Sequence, residues 1–404
     1  MDFVVSVDDA AARVLKKAKE ALDQGTFAVG GILFRNDTGK IVKELHNNVY
    51  VQLKNHTPFL NDPTAHGERQ LVSWYYDNKS KLNLPDPVEM TLVTSLDPCL
   101  MCTGSLLLSG FNVGIIAIDE YAGVNYDSKF DFHILPKSLK SLAQKKFGYY
   151  ACNNSHHESE KLSRKYIGAK SLPFLKDTVS SKYVRECGTI FSKSVKHVDS
   201  AFSKISEIKI DEMANPFQLS EESKIKKSFR KIYPNAFTIR SNPQRILSSE
   251  IIDELNRVAS HSSGDRNAVA FIDLFGNLIL CQSGNETNSP IRTALMEVIQ
   301  NYCKTLWKLM NDDDTRSVAE KTLTHPRFGT FLFLYAPDPD SATTIMDLGA
   351  YSFTLYRKSH QNLPNLQYVN PPRNGRVKDL TSLISRFPPF YSDQVNLSIC
   401  QIPK

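Results

Sequence analysis

No run in this 404-residue chain approaches the roughly 18 consecutive apolar residues that a membrane-crossing helix needs, which excludes a helical membrane protein. The opening Met-Asp-Phe-Val-Val-Ser-Val-Asp-Asp lacks the basic and then apolar stretches of a secretory leader. A cytoplasmic location is therefore expected, with the nucleus as the alternative. Cysteine is sparse: seven residues, an odd count, lie widely scattered, which fits a reducing compartment better than a disulfide framework. The net charge is only +6, but it is unevenly placed, with an excess of about eight positive charges in residues 151–246 and near balance on either side. That stretch holds Lys161, Arg164, Lys165, Lys170 and the run Lys224, Lys226, Lys227, Arg230, Lys231. It lacks the interleaved aromatics of a base-stacking platform, so a solvated helical connector is the first reading and a polyanion such as RNA the second.

What the chain does have is length and apolar content, 41 % hydrophobic, enough for two globular units. Residues 8–24 place Ala12, Leu15, Ala18 and Leu22 at helical spacing behind Asp8 and Asp9, and Gly25 ends the run. Phe27 to Phe34 and Lys40 to Leu45 form a predicted hairpin turning at Asn36-Asp37-Thr38-Gly39. A helix is expected from near Thr64, a strand over Glu89 to Leu96, a helix from Pro98 to about Ser109, and a strand over Asn112 to Asp119. Alternation of this kind is α/β.

Two short motifs on that frame carry chemistry. Pro63-Thr64-Ala65-His66-Gly67-Glu68 opens one predicted helix, and Leu96-Asp97-Pro98-Cys99-Leu100-Met101-Cys102 opens the next. His66, Cys99 and Cys102 offer one imidazole and two thiolates, a set that leaves a fourth tetrahedral position on zinc open, as catalytic sites require. Glu68 is placed to carry protons beside them. A structural zinc site needs a second close Cys or His pair, and the next cysteine, Cys152, is fifty residues further on. Both cysteines bracket a first helical turn with Pro98 at its favoured initial position, so two helix N-termini are expected to face one ion and lower the thiolate pKa values.

His-x-Glu followed by Pro-Cys-x-x-Cys is the signature of zinc nucleobase deaminases. Residues 1 to about 135 resemble the cytidine-deaminase-like superfamily, in the branch of cytosine, guanine and tRNA adenosine deaminases. The resemblance implies a three-layer α-β-α fold with a mixed five-stranded sheet, assigns His66, Cys99 and Cys102 to one zinc ion, and gives Glu68 the proton shuttle. It also implies a substrate-binding asparagine after the second strand, for which Asn47 is the match, followed by a longer segment than usual around Val51 to Pro58. Gly67, Gly30-Gly31 and Cys99 to Gly104 resemble the cytosine deaminases, and Asn61 to His66 the guanine and tRNA enzymes. Gly67 and Pro98 join Asn47 as candidate substrate-binding residues.

The same element order recurs near the C-terminus. Ile251, Ile252, Leu255 and Val258 mark a helix, Asn267 to Leu274 and Asn277 to Cys281 a hairpin, Ser289-Pro290 the start of a long helix, and Gly329 to Ala336 a strand. Asp338-Pro339-Asp340-Ser341-Ala342-Thr343 then aligns with the Cys99 motif, and a strand is expected over Tyr351 to Lys358. On this alignment Thr293, Asp340 and Thr343 replace the zinc ligands and Leu295 replaces Glu68, a set that binds zinc poorly. The organisation expected is a catalytic domain over 1–150, a basic helical connector over 151–246 and a degenerate tandem copy over 247–404, the two copies pairing as an intramolecular pseudo-dimer.

The chemistry expected is hydrolysis of a cyclic amidine, exchanging an exocyclic amine for a carbonyl with release of ammonia. A cytosine-like or guanine-like base or nucleoside is the first choice of substrate. Editing of adenosine or cytidine in RNA, tRNA above all, through the basic segment is the second. A non-enzymatic regulatory or binding protein on the same fold is the third.

Overall fold

A computed structural model describes residues 3–56, 58–127, 131–149, 179–205, 210–242, 247–262, 264–355, 365–393, 395 and 397–399. Lys161, Arg164, Lys165 and Lys170 of the basic segment, and Cys152, lie outside the described residues. In chain order the first elements are α1 (Val7–Gln24), β1 (Gly30–Arg35), β2 (Ile41–His46), the short hairpin β3 (Tyr50–Gln52) and β4 (Pro58–Leu60), and α2 (Gly67–Leu82). After them come β5 (Met90–Leu96), α3 (Leu100–Ser109), β6 (Asn112–Ala117), α4 (Lys137–Lys146), β7 (Phe147–Tyr149) and α5 (Ser181–Ile205). The remainder holds α6 (Lys224–Arg230), α7 (Ser249–Ser260), β8 (Ala268–Ile272), β9 (Leu278–Ser283), α8 (Ala294–Met310) and α9 (Asp313–Thr322). It closes with β10 (Thr330–Tyr335), α10 (Ala342–Leu355), β11 (Leu366–Asn370), α11 (Val377–Ile384), α12 (Pro389–Ser392) and β12 (Leu397–Ile399). No helix among the described residues is long and apolar enough to cross a membrane.

The chain divides into two compact units. The first comprises residues 1–51, 65–204 and 340–349. Its sheet runs β2-β1-β5-β6-β7, with β1 antiparallel to both β2 and β5, and β5, β6 and β7 mutually parallel. Gly39, at φ +74°, makes the β1–β2 turn, and its N–H donates to Arg35 O at 2.9 Å. Consecutive strand residues face opposite ways, and here the two faces are covered by different helices. A Cβ on Gly30 would stand 2.4 Å from Val14 O in α1, whereas one on Gly31 would meet Leu71 of α2. This gives α1, sheet and α2 as three layers. The α1 layer buries Val14, Leu15 and Ala18 against Ile32, Phe34 and Val93, and Cys187 and Ile190 of α5 join the same cluster. Because the atoms facing Gly30 are helix backbone, Gly30→Ala forces α1 off the sheet. We expect a loss of about 1–3 kcal/mol or more, read as a lower midpoint in urea unfolding of the full chain.

The second unit comprises residues 52–64, 205–339 and 350–404. Its sheet runs β12-β11-β10-β8-β9, with β8 antiparallel to β9 and β10, and β10, β11 and β12 parallel. Strand order and direction are those of the first sheet. Tyr302 of α8 packs on Phe271 of β8 with ring centroids 4.4 Å apart, and its hydroxyl donates to Thr324 O at 2.6 Å. The long segment expected around Val51 to Pro58 forms the β3–β4 hairpin. From residue 52 onward it counts with this unit, where Lys304 Nζ sits 3.2 Å from Asp62 and Gln300 donates to Thr64 Oγ1 at 2.8 Å.

Some elements differ from the sequence reading. The strand expected over Tyr351 to Lys358 is helical as far as it is described: α10 runs on to Leu355, residues 356–358 lie outside the described residues, and the next described strand is β11 at Leu366–Asn370. The Tyr-Ser-Phe-Thr-Leu-Tyr alternation mimics a two-residue period, but Ile345, Leu348 and Tyr351 bury a continuous helical face ahead of it. The long helix begins at Ala294 rather than at Ser289-Pro290, because Ser289–Arg292 forms a turn closed by Arg292 N–H to Ser289 O at 3.0 Å. In the described part of the basic segment four of the cations are paired with carboxylates. Lys224 pairs with Asp314 at 2.6 Å, Lys226 and Arg230 both with Glu221, and Lys227 with Glu222.

Candidate metal centre and active site

The candidate site is assembled from the N-termini of two helices. His66 is the N-cap of α2 and Cys99 the N-cap of α3, and neither side chain makes the usual capping bond to its own helix. N-cap side chains ordinarily accept from a backbone N–H in the first turn, so these two are diverted to another partner. That partner is shared. Cys99 Sγ lies 3.5 Å from His66 Nδ1, and the ligand atoms of His66, Cys99 and Cys102 all lie within 4.8 Å of one another. The edge of a tetrahedron built on zinc–sulfur and zinc–nitrogen bonds is about 3.5–3.8 Å, which the spacing accommodates. All three residues are buried. Among the described residues no other trio of His, Cys, Asp or Glu is gathered in this way.

The electrostatics favour a cation. Burial works to raise the Cys99 thiol, but the Cys102 thiol and the His66 ring outweigh it and hold Cys99 well below its usual range. Burial and the neighbouring Cys99 thiolate together push Cys102 well above its own. Two buried thiols so close resist ionising together, and a divalent cation removes the conflict by drawing both into the thiolate form. One imidazole and two thiolates therefore fit one zinc ion per chain.

Glu68 stands in the first turn of α2, 3 % exposed, with Oε2 3.5 Å from Cys102 Sγ and Oε1 accepting from Thr94 Oγ1 at 3.1 Å. Burial pushes its carboxyl up from the ordinary range, and the Cys99 thiolate adds to the effect. Farther along the strand ends, burial raises Asp97 to about 8 and Asp119 to about 7. Thr94 was not legible as a functional residue. It lies on β5 five residues before Cys99, and only the strand's pairing and twist reveal that it reaches Glu68.

Asn47 follows β2 and is fully buried. Thr26 Oγ1 and Val49 N–H both donate to its Oδ1, at 2.7 and 3.0 Å, which fixes the amide orientation and leaves Nδ2 as a buried donor with no partner among the described residues. Asn48 N–H donates to Ala65 O at 2.8 Å, and a Cβ on Gly67 would lie 3.5 Å from Asn47 N, so the Asn47 loop runs beside the start of α2. The carbonyl of Pro98 accepts from Val124 N–H at 2.9 Å and Thr103 Oγ1 at 3.3 Å, which closes the turn ahead of Cys99.

The aligned positions of the second half behave differently. Thr293 caps α8, its hydroxyl accepting from Met296 N–H at 3.3 Å, and Leu295 is buried in that helix. Asp340 is exposed ahead of α10, and Thr343 lies in the first turn with its N–H bonded to Ser341 Oγ.

Residues 6–117 match the family described as "Cytidine and deoxycytidylate deaminase zinc-binding region". A tRNA-specific adenosine deaminase of Aquifex aeolicus (strain VF5) is 26 % identical over 144 residues, 32 % of this chain and 87 % of that protein. A cytosine deaminase of Candida albicans (strain SC5314) is 29 % identical over 97 residues, 24 % of this chain and 56 % of that protein, so only about half of the second relative is spanned. A solved guanine deaminase from Nitrosomonas europaea aligns over 48 % of this chain and 86 % of its own, at 14 % identity and a TM-score of 0.30. The N-terminal segment therefore carries a match to the zinc-binding region of the cytidine and deoxycytidylate deaminases, on a mixed sheet whose paired helix N-termini gather His66, Cys99 and Cys102.

Proposed function

We propose that this chain is a hydrolytic deaminase of a small aminopyrimidine or aminopurine, free or as its nucleoside, and that Glu68 is its proton carrier. The observation that carries the reading is the unsatisfied Nδ2 of Asn47, a buried donor on the loop beside α2, close to where Glu68 begins its helix. A buried amide donor without a partner costs about 1–3 kcal/mol, and a substrate carbonyl or ring nitrogen would recover it.

Bound zinc supplies a Lewis acid that makes water nucleophilic near neutral pH. Glu68 would carry two protons in turn, the first from the attacking water to the ring nitrogen beside the attacked carbon, and the second from the resulting hydroxyl to the departing amine as the carbonyl forms. Thr94 holds one carboxylate oxygen at 3.1 Å, so the other is the one that moves protons. Gly67 lets the Asn47 loop approach the helix start, where any larger residue would press on Val29 O. The products are a ring carbonyl and ammonia.

Editing of adenosine or cytidine in tRNA is the second reading, supported in kind by the Aquifex relative. The pairing of Lys224, Lys226, Lys227 and Arg230 with carboxylates weakens it, since cations already neutralised release few counterions from a phosphate backbone. The second half reads as a copy of the same fold that has lost its chemistry, supported by the common strand order and by Thr293, Leu295, Asp340 and Thr343 at the aligned positions.

Ammonia release from a panel of cytosine, guanine, adenine, their nucleosides and mononucleotides, and bulk tRNA tests the choice. Turnover of one of the small compounds is expected. Activity confined to tRNA, falling steeply with added salt, would replace the first reading with the second.

A further inference from the structure

The Cys99 turn is held by a buried network that is remote in sequence and plays no part in the chemistry above. Asp97 is 2 % exposed and receives two hydrogen bonds: Tyr149 Oη–H donates to Oδ1 at 2.6 Å, and Asn125 N–H donates to Oδ2 at 3.0 Å. The Asn125 side chain closes the ring, with Nδ2 donating to Tyr149 Oη at 2.5 Å and Oδ1 accepting Phe132 N–H at 2.9 Å. Asn125 is fully buried, Tyr149 nearly so, and the tyrosine ring packs beside Phe132.

Position gives this network its meaning. β5, β6 and β7 are parallel, so Leu96, Ala117 and Tyr149 finish at the same edge of the sheet. Tyr149 reaches across the end of β6 to the first residue after β5. Asp97 is followed by Pro98 and Cys99, and the backbone there is gripped a second time, by Val124 N–H on Pro98 O and by a bridge between Cys99 and Gly123. Gly123 is required at that contact, because a Cβ there would lie 2.4 Å from Asp97 Oδ2. The spacing of Cys99 and Cys102 is set by their own helical turn. The direction in which the pair leaves β5, and hence whether both sulfurs meet the His66 ring at once, is set by Asp97 and Pro98.

We infer that Tyr149 and Asn125 are positioning residues for the metal centre: through Asp97 they fix the exit angle of the Cys99–Cys102 turn and so slow the loss of zinc. The inference rests on the zinc site proposed above. Groups that orient metal ligands from behind commonly change metal affinity 10–100-fold when removed, and the Tyr149 hydroxyl is such a group acting through one carboxylate.

The test measures zinc release from the full-length, zinc-loaded protein to a chromophoric chelator. Tyr149→Phe keeps the ring and removes the hydroxyl, and Asn125→Ser removes the amide while leaving the backbone donor to Asp97. Tyr75→Phe is the comparison, since its buried hydroxyl donates to Pro85 O at 2.7 Å in the same unit but away from the Cys99 turn. Zinc should leave Tyr149→Phe and Asn125→Ser about 10–100-fold faster than the parent, and Tyr75→Phe at the parental rate even where its melting temperature falls as far. Release from Tyr149→Phe within twofold of the parent, or equal acceleration in Tyr75→Phe, overturns the positioning role. If Tyr149→Phe does not fold, Asn125→Ser carries the same two outcomes. A parent protein that holds no zinc overturns the site itself, and this inference with it.

Discussion

Glu68→Gln should lower ammonia release by about a thousandfold while one zinc ion per chain remains. The size follows from proton transfer by a positioned side chain, which contributes roughly 10²–10⁴ in rate. A thousandfold loss corresponds to about 4 kcal/mol of transition-state stabilisation. Glutamine keeps the shape of the buried side chain and still accepts from Thr94 Oγ1, so the start of α2 should stay in place. None of the three metal donors is altered, and zinc measured by elemental analysis should match the parent. A zinc-loaded Glu68→Gln protein turning over within tenfold of the parent would remove Glu68 from the mechanism. A protein that acts only by binding would show no turnover in either form and keep its ligand affinity in both.

The contrast between Glu68 and Tyr149 shows which parts of this site the sequence announces. His66 and Glu68 are two residues apart, and Cys99 and Cys102 three. Each pair is rigid because it sits on a single helical turn, so local spacing reports geometry directly. The β1–β2 hairpin is legible for the same reason, since Gly39 supplies the positive φ that its turn needs. Tyr149 meets Asp97 across 52 residues, and Gln300 meets Thr64 across 236. Such contacts depend on which strand ends come together, and no period or spacing encodes that. The helix that continues through Tyr351 failed for a different reason, as its final turns alternate apolar and polar residues while its burial was decided upstream at Ile345 and Leu348. The β3–β4 hairpin was visible only as extra length. Its attachment to α8, through Asp62 and Lys304, emerges from the packing of residues 52–64 within the second unit.

Cys102→Ser should release the zinc and loosen the starts of α2 and α3 together. Cys102 is fully buried, its sulfur lies 3.5 Å from Glu68 Oε2, and serine keeps the volume while giving up the soft anionic donor that zinc favours. Without the cation, the Glu68 carboxyl, the His66 imidazole and the Cys99 thiol lose the ion that draws them together, and the buried carboxyl resists its charged form. A site filled at a thousandfold excess over its dissociation constant stabilises its fold by about 4 kcal/mol, and that contribution vanishes with the metal. Hydrogen exchange should therefore quicken at Gly67–Leu71 and Leu100–Leu106, whereas the amides of β8 and β10 should keep their protection, because neither strand holds any of the three donors. Chelation of the parent protein should reproduce the pattern, and adding zinc back should reverse it in the parent but not in Cys102→Ser. Equal exchange in the loaded and stripped parent would show that the two helix N-termini hold their geometry without the ion, and zinc would then serve the chemistry alone.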